Sequence, residues 1–319
     1  MISARTWFVI LCFTLISLSC KSIDEHNVEV RYGDYSNYYR LISKADSLFF
    51  EERYEKAYKL FKNVFSKVEP IRSYRFNEYY VYLISKHYAN KVVEKSEIEK
   101  LISKFGVKKG TFLRNEIMQK YFESYIDDNH YDCLITIYEK SIAFDLRKSI
   151  ASMLAKDQYY RTEYEFDCNV NEAEKFKKIK EIDAVNESRL IAFFDKGIYP
   201  DAKTVGNLYY DEDVPNIEIL LLHTKDSIRL NYFLPKLKQF IKQGKANPYV
   251  YGMLVDQYEL YNDREQKYGT YNISKISPEQ AKRYNKNRKK LNIGFPSVEF
   301  DFWSYKIKTN SKKRLYINH

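Results

Sequence analysis

The sequence predicts a mainly α-helical protein, and three observations carry that prediction. Nine glycines and seven prolines in 319 residues are few breakers for a chain of this length. Apolar residues recur at three- and four-residue spacing, as in Leu41, Ala45, Leu48 and Phe49. Helix starts carry cap chemistry: Asn247-Pro248 sets a cap before a proline, and Ser277-Pro278-Glu279-Gln280 is a capping box. With 45% apolar and 17% aromatic residues, the composition is that of a folded chain. The expected architecture is N-terminal helical hairpins over residues 37–154, followed by a compact, mostly helical domain over residues 155–303. That second domain is expected to hold a small β-hairpin or extended segment.

The chain opens with Arg5, an apolar run from Trp7 to Ile16, and small residues leading into Cys20. The run falls short of the roughly 20 apolar residues that a membrane span needs, and suits the core of a signal peptide. A small residue before Cys20, with polar Lys21-Ser22 after it, resembles the lipobox of bacterial lipoproteins. The resemblance implies cleavage after residue 19, acylation of the Cys20 thiol, and attachment to a membrane from outside the cytoplasm. An ordinary secretory signal and an uncleaved anchor are the alternatives. Residues 20–36 lack periodicity and read as a tether.

From Tyr38 the pattern is helical. Ala57, Leu60, Phe61, Val64 and Phe65 line a second face, with a turn at Glu51-Glu52-Arg53-Tyr54. Ala45, Leu48, Tyr54, Ala57, Phe61 and Pro70 stand in the order and spacing of a tetratricopeptide repeat, which this unit resembles. One such unit cannot bury its own faces, so residues 75–90 with 96–105, and 112–126 with 131–156, are expected to stack on it as further hairpins. Ser96 is the expected cap of one of these helices and Gly106 its stop. Beyond residue 155 the expected helices cover 172–195, 216–243, 247–261 and 277–294. Gln266 to Ile273 is expected to be extended, and Val298 to Phe302 alternates like a strand.

In the same half, Asp157-Gln158 with Arg161, then Asp183 with Asn186, Tyr199-Pro200, Val205-Gly206, His223 with Asp226, Leu234-Pro235, Asp256, and Gln266-Lys267-Tyr268-Gly269-Thr270 follow in order, ahead of Arg288 and Ile293-Gly294. This order resembles an uncharacterised bacterial family that carries a domain of unknown function. The chain differs from it at Gln257, where the family has arginine, and at Tyr271, where it often has glutamine. The resemblance implies an architecture more than a reaction.

Read as chemistry, His223 is the candidate base, Asp226 at i+3 its orienter if the helix continues, and Asp256 a second carboxylate. Arg161, Gln266, Tyr268, Thr270 and Arg288 are the candidate ligand-binding groups. Plainer readings stand beside these. Asp226 caps a second helix after a break at Thr224-Lys225, and Asp157 with Arg161 is a helical ion pair. One histidine among scattered carboxylates predicts no metal and no cofactor. Gly-x-Ser-x-Gly, Walker, His-Glu-x-x-His and dinucleotide patterns are absent. Cys133 and Cys168 are expected as buried thiols, with a disulfide the alternative.

The net charge of +10 is concentrated late: from Lys282 onward eleven Lys or Arg face only Glu299 and Asp301, and residues 304–319 form a basic tail. An exported chain of this kind excludes nucleic acid as a partner and points to an anionic envelope polymer or lipid head groups. The expected function is a non-catalytic envelope lipoprotein that binds a protein or peptide through its helical repeats. The alternative is a hydrolase acting on an envelope polymer or peptide through the His223, Asp226 and Gln266 region.

Overall fold

Short, strongly amphipathic segments with polar interruptions every 10 to 15 residues leave the chain one economical solution, helices laid side by side. The structure, a computed structural model, describes residues 33–71, 78–163, 171–207, 210–271 and 275–299. The signal segment with Cys20, most of the tether, Cys168, the expected strand beyond Glu299 and the basic tail lie outside the described residues. The fold is mainly α. No strand occurs among the described residues.

The first hairpin joins α1 (Tyr38–Phe50) to α2 (Tyr54–Phe65) through the turn the sequence marks, where Glu52 takes a positive φ. Ala45 and Ala57 are fully buried, which lets the two helices pack closely with Phe61 and Val64 beneath them. Burying one such Phe or Val side chain contributes about 1.5–3 kcal/mol. Next come α3 (Glu78–Tyr88), α4 (Lys95–Ser103), α5 (Lys109–Phe112) and α6 (Glu116–Tyr125). The cap of α4 is Glu94, one residue outside the expected helix start; it forms a capping box with Glu97, so Ser96 lies inside the helix.

The expected helix over 131–156 is two, α7 (Asp128–Lys140) and α8 (Phe144–Gln158), capped separately and interrupted at Ser141–Ala143. At Gly106 (φ +64°) a Cβ would lie 2.3 Å from the Tyr138 ring, so glycine is required both for conformation and for the approach of α7.

The second half runs α9 (Glu172–Asp195), α10 (Ala202–Val205), α11 (Ile217–Leu222), α12 (Asp226–Ile228), α13 (Leu234–Lys242), α14 (Pro248–Tyr261) and α15 (Pro278–Leu291). The single helix expected over 216–243 is broken at His223–Lys225, and a π-helical turn at Arg229–Phe233 leads into α13. The expected extended segment is a set of bends from Gln266 to Tyr271, and Val298–Glu299 is helical where a strand was expected.

One core forms under α1 to α7 and another under α8 to α14. Tyr39 packs against both, and its hydroxyl donates to the Ala246 carbonyl at 3.1 Å. Arg147, fully buried on α8, donates to the carbonyls of Val205, Asn207 and Asp213 and to the Asp211 carboxylate. It is the strut that fixes the 205–213 connection to the second core. No described helix is long and apolar enough to cross a membrane.

Candidate functional site

Three helical stretches distant in sequence deliver one charged cluster. The last turn of α8 supplies Asp157 and Gln158, and a π-helical turn at Tyr159–Glu163 continues it and carries Arg161. The middle of α9 supplies Asp183, and the C-cap of α11 supplies His223. Widened turns of this kind are frequent at functional sites because they re-aim a side chain within a helix.

Asp157 is the centre of the cluster and almost wholly buried, at 1% side-chain exposure. Its Oδ1 lies 2.9 Å from His223 Nδ1 and 3.2 Å from Arg161 Nε, while its Oδ2 accepts from Gln158 Nε2 at 2.8 Å. Arg161 also donates to Asp183 Oδ1, so one guanidinium bridges two carboxylates. An ionised Asp157 only accepts hydrogen bonds, which places the His223 proton on Nδ1 and the lone pair on Nε2. No described residue hydrogen-bonds Nε2, and the imidazole is 22% exposed.

The two carboxyls are tuned apart. Burial pushes Asp157 upward, but the His223 hydrogen bond and charge, with Gln158 and Arg161, hold it below the usual carboxylate range. For Asp183 burial prevails over Arg161 and the group is raised. Arg161 itself is raised by its two carboxylates against the opposing effect of burial. Asp157, Asp183 and His223 each bring a ligand atom within 4.8 Å of the others, a set of three metal-ligating side chains that sequence spacing did not show.

Asp226 is not the orienter of His223. The helix ends at His223, and Asp226, 48% exposed, pairs with Arg229 on its own turn. Asp157 takes the orienting place, from 66 residues upstream. The break at Thr224-Lys225 follows the plainer reading of that segment.

Asp256 is fully buried on α14 and accepts from the backbone N–H groups of Lys267, Tyr268 and Thr270 and from the Thr270 hydroxyl, at 2.7 to 2.9 Å. It is the internal template of the 266–271 bends. Gln266 closes the same loop, accepting from Tyr271 N and donating to its carbonyl. Tyr268 is buried against Phe295, and Thr270 is spent on Asp256.

Arg288, 2% exposed, donates to the carbonyls of Tyr268, Gly269 and Pro296, so it locks the loop to α15 and is not presented to an anion. The exposed cations of α15 are Lys282, Lys286, Lys289 and Lys290. Cys133 is a free, exposed thiol where a buried one was expected.

Of the residues marked in the sequence, then, the structure joins Arg161 and His223, and draws Asp157 and Asp183 from the family pattern beside them. Asp256, Gln266, Tyr268, Thr270 and Arg288 form a second, self-satisfied unit. No family model, curated protein or solved structure matches the chain.

Proposed function

We propose that this chain is an exported protein of the bacterial envelope, held to a membrane by a lipid on Cys20, and that it works as a non-catalytic binding module. Its helical hairpins take an envelope protein or peptide, and the cluster of Asp157, Arg161, Asp183 and His223 supplies the charged contact that selects it. The observation that carries this reading is the cost of the cluster. A half-buried ion network is a poor stabiliser, and apolar residues of like volume often serve as well or better. Burial leaves Asp183 raised even with Arg161 beside it, the mark of a site shaped for something other than packing.

The test is capture of envelope components by the full chain and by its Asp183→Asn and Arg161→Gln variants. Binding should fall at least tenfold in the variants, and equal capture by folded variants defeats the reading. Cys20→Ser should lose acyl labelling and leave the membrane fraction; retention with the first 19 residues intact would remove the address.

One observation favours a second reading, a hydrolase of envelope polymer or peptide. His223 has its Nδ1 held by a buried carboxylate and its Nε2 open, the arrangement of a general base. His223→Gln should then abolish release of new amine or reducing ends from isolated envelope polymer, and no release by the wild type discards this reading. The exposed lysines of α15 support contact with an anionic envelope polymer. Charge reversal at Lys289 and Lys290 should weaken salt-sensitive retention.

A further inference from the structure

We infer that Asp157, Asp183 and His223 form a binding site for a divalent first-row metal ion, with Arg161 serving as the counter-cation that holds the ligands together in its absence. This deepens the function proposed above by naming the chemical class of ligand taken at the same cluster. Three features of the page converge on it.

The first is the ligand set. Two carboxylate oxygens and an imidazole nitrogen lie within 4.8 Å of one another. A tetrahedral zinc ion with bonds of about 2.1 Å holds its ligand atoms about 3.4 Å apart, so a contraction on the order of 1 Å closes the site. Three protein ligands with a fourth position left to solvent is the arrangement of an open zinc site. Asp183 and His223, 25% and 22% exposed, leave an approach for the ion from solvent.

The second is charge. Two carboxylates share one guanidinium, and with a neutral imidazole the cluster sums to one uncompensated negative charge. That deficit sits where water is partly excluded, so an added cation is worth more there than at an open surface.

The third is Asn186. It stands three residues beyond Asp183 on α9, on the same face of the helix. It is only 6% exposed, yet its Nδ2 has no hydrogen-bond partner. A buried amide donor left unpaired costs about 1–3 kcal/mol. Beside a loaded site the donor has an acceptor, either a coordinating carboxylate or a metal-bound water, as second-layer groups commonly supply.

Loading is a simple exchange. The ion takes the place of the proton on His223 Nδ1, the nitrogen beside Asp157, and that proton passes to the buffer. Arg161 gives up part of its hold on Asp157 and Asp183 as the ion arrives, so it competes with the metal.

The experiment is calorimetric titration of Zn²⁺, with Mn²⁺ in parallel, into the full chain purified in detergent and stripped by chelator, in two buffers of different ionisation heat. The wild type should bind one Zn²⁺ with micromolar or tighter affinity, more tightly than Mn²⁺, and release a proton. Asp183→Asn and His223→Gln should each weaken binding at least tenfold, while Arg161→Gln should tighten it several-fold. Thermal melts of each variant establish that it is folded. Absence of saturable binding, wild-type affinity in either ligand variant, or weaker binding by Arg161→Gln overturns the inference. Partner capture that needs Asp183 but proceeds without any zinc binding leaves the proposed function standing alone. Zinc binding with capture indifferent to Asp183 leaves only the metal site.

Discussion

Replacing Asp256 separates a structural carboxylate from a functional one. Each oxygen of Asp256 accepts two hydrogen bonds: Oδ1 from Lys267 N and Tyr268 N, Oδ2 from Thr270 N and Thr270 Oγ1. Asp256→Asn keeps the Oδ1 pair but sets an amide N–H against the Thr270 N–H, while the hydroxyl can turn to accept. One buried donor is then orphaned, at about 1–3 kcal/mol, and two charge-assisted bonds become neutral, at about 0.5–1 kcal/mol each.

Against this stands a relief. Burial raises the Asp256 carboxyl despite its four donors, so the charged form carries a residual desolvation cost that Asn does not. The net expectation is a loss of about 2–3 kcal/mol at pH 7. Asp256→Ala orphans every donor and should cost at least about 4 kcal/mol, a large share of a domain's stability.

Urea denaturation followed by circular dichroism measures both. The sign of the pH dependence gives a second check. A carboxyl with a raised folded pKa contributes stability that is whole below the unfolded value near 4 and is lost as pH rises through the folded one. Asp256→Asn should remove that decline. A variant within about 1 kcal/mol of wild type that nevertheless loses partner capture would refute the structural assignment.

Other substitutions test the remaining links. Asp46 is buried, its Oδ1 has no hydrogen-bond partner, and burial holds its carboxyl well above the ordinary range. Asp46→Asn should therefore stabilise the protein at pH 7 by at least about 1 kcal/mol, with the gain vanishing below pH 4 in denaturation series. Arg147→Lys keeps the charge but cannot span three carbonyls and a carboxylate, so it should lose about 2–4 kcal/mol and lower the melting temperature. Gly106→Ala places a methyl in the Tyr138 ring at a positive φ and should cost about 2 kcal/mol or more; Gly106→Ala combined with Tyr138→Ala should show strong non-additivity.

Much of the scaffold was legible in the sequence because local rules agree there. Asn171, Asn247 and Ser277 cap the helices they precede, and the Ala45–Ala57 contact follows from two small residues on facing helix stripes. Breaks inside long apolar patterns were harder to see. The segment 216–243 reads as one helix on periodicity, but His223 ends it, and no Gly or Pro stands there to announce the stop. The bends after Gln266 mimic a hairpin in composition; only the carboxylate of Asp256, ten residues earlier, dictates their shape.

The site was half visible. His223 stood out as a lone imidazole at the end of an apolar run, but its partner was sought at i+3 because sequence offers only neighbours. Asp157 reaches it across 66 positions. A long-range pair of this kind leaves no spacing signal, and the family-like pattern of Asp157, Arg161, Asp183 and Asn186 was the only trace of it.

The loosened winding at residues 159–163 has an evolutionary and an engineering consequence. An ordinary helix advances about 100° per residue, so deleting one residue from that segment would swing everything after it by roughly that angle. Arg161 would leave the carboxylates it bridges while the scaffold upstream kept its shape. Whatever chemistry the cluster performs is thus hinged on a single extra residue, gained or forfeited in one insertion or deletion.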